Sequence, residues 1–290
     1  MKKIKVTIII PVYNEKDSIS RTILDITDAL KNYNSGYEII CVNDASKDES
    51  EKILAQLAEK NIIKVINHPV NKGYGASIKT GISAAEGEWI MITDADGTYP
   101  INKMPLLLSQ KDKYNMVVGA RIGKKVKIPL LRRPIKSLLN KFSSYLAGQE
   151  IPDLNSGLRI FDKKIALDYW NLFPERFSFT STMTMICTTK GYSTLFTPIN
   201  YMERKGKSSI HPIKDTIRFF TLLFRLSLYF NPLKTFIPIS IICFLFSVLR
   251  GVRDIIVTAD QHIGNFAFGL FFLSIQIFFF GLIAEIINKK

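Results

Sequence analysis

The chain opens on a nearly unbroken apolar, β-branched run from Ile4 to Val12, the pattern of a strand covered on both faces. Ile19, Ile23, Ile26 and Leu30 then recur at helical spacing within Ser18 to Tyr33. The alternation continues: strand Tyr37 to Val42, helix Glu49 to Lys60, strand Ile62 to Asn67, helix Gly75 to Ala85, strand Glu88 to Thr93. A strand over Met116 to Ala120, a helix over Ile135 to Leu146, a turn entering a strand over Asp153 to Phe161 and a helix over Lys164 to Leu172 follow. This order predicts an α/β domain with right-handed crossovers and a doubly wound, mostly parallel sheet, whose ligands bind beyond the strands' carboxyl ends. The polar stretches Tyr13 to Glu15, Asn43 to Asp48 and Asp94 to Thr98 each follow a predicted strand, so they share one rim.

Beyond Pro212 the pattern changes. Ile213 to Phe230 is apolar and aromatic with Lys214, Arg218 and Arg225 spaced along it, as in a helix lying among lipid headgroups, although an ordinary packing helix has the same pattern. Thr235 to Leu249 and Phe266 to Ala284 are charge-free apolar runs. The second is long enough to cross a hydrocarbon core of about 30 Å, and the first reaches that length by continuing to Val257, with Arg250 snorkelling outward or pairing with Asp254. Three regions result: a domain over 1–210, an amphipathic helix over 211–232, and a transmembrane hairpin over 233–290, with spans at about 235–257 and 264–287. Basic residues flank both outer ends, so the positive-inside rule places both termini in the cytosol. The amino-terminal run imitates a signal peptide but is too short, since Asn14 to Asp17 interrupt it.

Charge sharpens this picture. The formal net charge is +14, from 39 Lys and Arg against 25 Asp and Glu, which implies an anionic partner. No acid occurs between Tyr114 and Gln149, and a second basic cluster runs from Arg204 to Lys234 into the apolar region, which favours anionic membrane lipid. Nucleic acid is disfavoured, because the aromatics fall in apolar runs and not in an alternating stacking platform. Three scattered cysteines, Cys41, Cys187 and Cys243, read as buried thiols in a reducing compartment.

The candidate chemistry centres on WIMITDADGTYP, Trp89 to Pro100, where an apolar strand ends in two carboxylates one residue apart. Asp94 and Asp96 can converge on a hard divalent cation together with substrate phosphates, although a D-x-D tripeptide alone also fits a solvated turn. Around it stand PVYNE (Pro11 to Glu15), VNDASKD (Val42 to Asp48), NKGYGASIKTG (Asn71 to Gly81), VVGAR (Val117 to Arg121), DLNSGLRIF (Asp153 to Phe161) and YMERKGKS (Tyr201 to Ser208). In this order the motifs resemble the family 2 inverting glycosyltransferases with a GT-A fold, and within them the polyprenyl-phosphate group that includes dolichol-phosphate mannose synthase.

The resemblance implies a catalytic set of Asp96, Arg121 and Arg204. It implies a nucleotide-sugar site bordered by Pro11, Tyr13, Glu15, Asp44, Lys72 and Asp94, with Asp153 near the sugar or else capping the turn before Gly157. Asp96 would hold Mg²⁺ or Mn²⁺, with Asp94 and Thr98 as candidate further ligands; many relatives have Gln in place of Thr98. Arg121, Arg133 and Ser137 would grip the acceptor phosphate, with Lys207 and Ser208 beside Arg204 over the diphosphate. The implied partners are a UDP- or GDP-linked sugar, a polyprenyl (undecaprenyl or dolichyl) phosphate and membrane lipids. A homo-oligomer is compatible with the sequence. Phe177 to Thr189 contains no carboxylate, which suits a phosphate nucleophile that needs no general base. There is no Q-x-x-R-W signature, which argues against processive synthesis. Transfer to a lipid or glycan hydroxyl, and nucleotide-sugar binding without turnover, are the rival readings.

Overall fold

The computed structural model describes residues 5–124, 126, 133–175, 178–202, 212–257 and 264–288. The chain divides into two compact units, Met1–Asp215 and Thr216–Lys290. The first holds a seven-stranded sheet of β1 (Val6–Val12), β2 (Tyr37–Asn43), β3 (Lys64–Asn67), β4 (Trp89–Ile92), β5 (Met116–Ala120), β6 (Arg159–Asp162) and β7 (Thr194–Pro198), in the order β3-β2-β1-β4-β6-β5-β7. All neighbours are parallel except β6, which runs antiparallel to β4 and β5.

The unbroken apolar composition of β1 follows from burial on both faces. Val6, Ile8 and Ile10 join α1 (Ile19–Ala29), α2 (Ser50–Glu59) and α4 (Met104–Leu108) in one core cluster. On the other face Ile9 meets α3 (Tyr74–Ala84), where a Cβ on Gly81 would come 2.6 Å from the Ile9 side chain. Pro11 is tolerated in a central strand because the β1–β4 ladder has already ended at Ile9 and Ile92, so no donor is missed there.

The inverted strand β6 is what completes the rim. Arg159, at its start, pairs with Ile92 near the end of β4 and with Val118 near the end of β5. The turn before it, Asp153 to Leu158, therefore reaches the same edge as Asp94, Asp96 and Arg121. Helices α5 (Arg133–Ala147), α6 (Lys163–Asp168) and α7 (Phe179–Thr189) complete the unit. Neither α7 nor β7 is predicted by the periodicity. Every residue of α7 from Phe179 to Thr188 is buried, so it shows no amphipathic stripe.

Helix α8 (Pro212–Phe230), most of which belongs to the second unit, leads into α9 (Pro232–Val257) and α10 (Asn265–Asn288). Helix α9 has 26 residues, so at about 1.5 Å per residue it is long enough to cross a bilayer core, and so is α10. The two are joined along a seam of small residues: the Ser240 hydroxyl donates to the Ser274 carbonyl (2.8 Å), the Ser247 hydroxyl donates to the Ala267 carbonyl (2.8 Å), and Gly281 admits Phe236. Arg250 pairs with Asp254 (3.1 Å) one turn later, so neither charge stands alone in an apolar helix. Ile242, Leu245, Phe246, Phe272 and Phe280 are exposed around this seam.

Candidate active site

The site is built on loops that leave the strand ends. After β1 and β2 the chain turns through Asn14 and Ala45, both in the left-handed region (φ 55° and 56°). The two turns are laced together: the Asn14 amide donates to Ser46 Oγ (3.0 Å), the Lys47 amide to Asn14 Oδ1 (2.7 Å) and the Lys16 amide to Asp48 Oδ2 (3.1 Å). Much of PVYNE and VNDASKD is thus a clasp. It leaves Tyr13 exposed and puts the Glu15 carboxylate, which accepts from Ser18 Oγ (3.1 Å), beside it.

Asp44 is buried and turned inward. Its Oδ1 accepts the Lys72 amide (2.8 Å) and meets His68 Nδ1 (2.8 Å), and its Oδ2 accepts the Gly73 amide (2.8 Å). His68 Nε2 continues the chain to Thr80 Oγ1 (2.9 Å). The residue holds the Gly-rich loop ahead of α3 in place, while the Lys72 side chain is exposed. His68 has no motif spacing and was not visible from sequence.

The DADGTYP loop is fixed from several directions. The Thr22 hydroxyl donates to the Ala95 carbonyl (3.1 Å) and the Met202 amide to the Thr98 carbonyl (3.0 Å). Tyr74 donates its phenol proton to Asp94 Oδ1 (3.0 Å). Burial, with the Asp94 charge adding to it, pushes the Tyr74 phenol well up, so it stays a donor. The Thr98 amide and hydroxyl both donate to Asp96 Oδ1 (3.1 and 2.6 Å), and Gly97 supplies the positive φ (69°) that this tight turn needs. Among the described residues no three His, Cys, Asp or Glu side chains gather into a metal cage. One or two carboxylates at a rim fit Mg²⁺ or Mn²⁺, whose remaining ligands are typically water and substrate phosphate.

On the other flank, Arg121 forms a bidentate fork to Asp153, Nε to Oδ2 and Nη2 to Oδ1, each 2.8 Å. The Arg121 amide also donates to Oδ2 (2.8 Å), Nη2 reaches Asn155 Oδ1 (2.5 Å), and Lys136 Nζ lies 3.1 Å from Asp153 Oδ1. Burial alone would raise the Asp153 carboxyl, but Arg121 and then Lys136 outweigh it and hold it well below the usual carboxylate range. Ser137 is exposed on α5, and Arg133 is that helix's first residue. Arg204, Lys207 and Ser208 lie outside the described residues.

Arg159, wholly buried, has no carboxylate partner among the described residues. Nε and Nη2 grip the Ser156 carbonyl (3.0 and 2.5 Å), and Nη1 donates to the Thr180 carbonyl (2.7 Å) and Thr184 Oγ1 (2.9 Å). Burial pushes it down to about 10, still charged at neutral pH. The turn it anchors sends the Gly157 amide to the Tyr99 hydroxyl (2.6 Å). The signal for this residue was present: an arginine inside the apolar strand Leu158 to Phe161.

The strand rim carries paired aspartates on one side and partly buried cations on the other, on a fold of the GT-A type that solved structures share. Glucosyl-3-phosphoglycerate synthase from Mycobacterium tuberculosis, in complex with Mn²⁺, UDP-glucose and phosphoglyceric acid, superposes with a TM-score of 0.61 at 13% identity, over 77% of this chain and 79% of that one. S. aureus TarS in complex with UDP-GlcNAc gives 0.54 at 19% identity, over 77% and 66%. Glycosyl transferase family 2 matches residues 7–170, more than half of the chain, and the protein belongs to that family. The GtrB C-terminal hairpin matches residues 231–289. The undecaprenyl-phosphate 4-deoxy-4-formamido-L-arabinose transferase of Enterobacter sp. is 28% identical over 98% of this chain and 88% of its own length. The dolichyl-phosphate hexose transferase of Haloferax volcanii is 28% identical over 71% and 86%.

Proposed function

We propose that the protein transfers one hexose from a UDP- or GDP-linked sugar to the phosphate of a polyprenyl phosphate, undecaprenyl or dolichyl, with inversion at the anomeric carbon. The domain of 1–210 works on the cytosolic face, the amphipathic helix of 211–232 lies along the headgroups, and the hairpin of 233–290 anchors the chain with both termini cytosolic. The observation that carries this reading is the union, in one chain, of the Asp94 and Asp96 rim with a helical hairpin long enough to cross a bilayer. A soluble acceptor needs no such anchor; a lipid acceptor does.

Tyr13, Glu15 and the clasped turns frame the nucleoside, with Pro11 and Asp44 behind them. Asp94 faces the base or ribose side, and Asp96, oriented by Thr98, would hold Mg²⁺ or Mn²⁺. When bound, that cation supplies positive charge to the departing diphosphate. Arg204, Lys207 and Ser208 are assigned to the diphosphate, and Arg121, Arg133 and Ser137 to the acceptor phosphate. The acceptor oxygen forms a bond to the anomeric carbon as the bond to the diphosphate oxygen breaks, and the nucleoside diphosphate leaves. A phosphate is anionic at neutral pH, so no proton has to be removed. The absence of Asp and Glu from α7, and the engagement of Asp153 with two cations, agree with a reaction that uses no general base.

Incubation with labelled sugar nucleotides, Mn²⁺ and citronellyl phosphate tests the reading. Label is expected in an acid-labile lipid product, lost in Asp96→Ala; no labelled lipid from any common donor would reject it, and an acid-stable product would point to a hydroxyl acceptor.

A further inference from the structure

The mechanism leaves Lys136 without a role, and the packing around it is unusual. A carboxylate offers about four lone-pair directions. Those of Asp153 are all engaged: the Arg121 amide and Nε on Oδ2, Arg121 Nη2 and Lys136 Nζ on Oδ1. Asp153 is 0% exposed, whereas the Arg121 and Lys136 side chains keep 13% and 20% exposure. Resting on the proposed reaction, we propose that Lys136 and Arg121 together form the seat of the acceptor's phosphate, and that Asp153 is the shared counter-ion that positions both cations and does not touch the sugar.

Charge supports this. Among the described residues two cations lean on one carboxylate, so one positive charge has no counter-ion there in a largely desolvated place, an arrangement costly unless an anion completes it. Burial, and then the Arg121 charge, already press the Lys136 ammonium below its ordinary range. Donors remain for an oxyanion: Arg121 Nη1 has no partner among the described residues, and the Lys136 ammonium has only Asp153. Arginine contributes a planar fork and lysine a mobile point charge, a pairing suited to a phosphate monoester that must arrive and depart.

Position decides between a lipid phosphate and the donor's diphosphate. The turns that frame the nucleoside follow β1, β2 and β3, on one side of β4, whereas Arg121 follows β5 and Asp153 precedes β6, on the other. An anion seated there approaches the sugar from the side away from the nucleoside, as inversion requires.

The test uses the full-length protein with Lys136→Met and Lys136→Arg. Lys136→Met is expected to raise the KM for citronellyl phosphate about tenfold or more, the loss of one charge-assisted hydrogen bond, while the KM for the sugar nucleotide changes little. Lys136→Arg is expected to recover part of it. An unchanged acceptor KM with a lowered Tm would make Lys136 purely structural and overturn the proposal, and an equal rise in both KM values would assign the seat to the diphosphate and overturn it too. Direct binding separates this proposal from the reaction it rests on. Without donor, citronellyl phosphate should raise the Tm of the wild type but not of Lys136→Met, whether or not transfer occurs; equal stabilisation of both rejects the seat, and binding without transfer rejects the reaction alone.

Discussion

Gly157 lies so close to Asp94 that a Cβ on it would come 2.8 Å from both carboxylate oxygens. The turn before β6 is therefore the wall against which the first aspartate of the site rests. The contact is between the glycine backbone and the Asp94 side chain, so a methyl group at position 157 is admitted only if the carboxylate moves.

Gly157→Ala is expected to displace the Asp94 carboxylate while leaving the sheet intact. A misplacement of about 1 Å costs on the order of 100-fold in rate, so kcat/KM for the donor should fall by one to two orders of magnitude. Steady-state kinetics beside a thermal melt check this; an unchanged kcat/KM would show that Asp94 can shift without consequence.

Arg159→Met is expected to destabilise the first unit by about 3 kcal/mol. It strands the Ser156 and Thr180 carbonyls without their donor in a fully buried place. Denaturant unfolding measures the loss. Arg159→Lys should recover little, because one ammonium cannot reproduce a fork that bridges two carbonyls.

Thr98→Val is expected to free Asp96 Oδ1 from its 2.6 Å hydroxyl partner and to raise the Mn²⁺ concentration for half-maximal activity roughly tenfold, by loss of an orienting contact next to a ligand. Chelation should abolish wild-type transfer, and added Mn²⁺ or Mg²⁺ should restore it. Transfer that persists in excess chelator would remove the cation from the proposed reaction.

Asp153→Asn is expected to destabilise by about 3 to 5 kcal/mol at neutral pH, as for breaking a buried ion pair. The native carboxyl is held below its unfolded value of about 3.9. Its stabilisation is therefore fully present above about pH 4 and is lost as pH falls from there through the native value. The stability gap between wild type and variant should stay constant from pH 8 to about 4.5 and narrow only below, as followed by Tm across that range.

The sequence alone determined the parts of this protein that periodicity encodes. The β-branched runs specify strands covered on two faces, Ile19 to Leu30 a core-facing helix, and the apolar stretches after Pro232 a hairpin of membrane-crossing length, because each pattern has one geometry that hides it from water. Order along the chain also placed the rim, since loops after parallel strands share an edge. The tertiary structure decided where polar groups spend their hydrogen bonds. Asp44 binds loop amides and His68, Asp153 is shared by Arg121 and Lys136, Tyr74 bonds Asp94, and Tyr99 and Arg159, from two other motifs, hold the turn against which Asp94 rests. Helix α7 and strand β7 were hidden for related reasons: a wholly buried helix has no polar face to set its period, and a half-buried five-residue strand is too short to show one. Burial pattern is local and repeats along the chain; the partner of a charge depends on which distant segment the fold brings beside it.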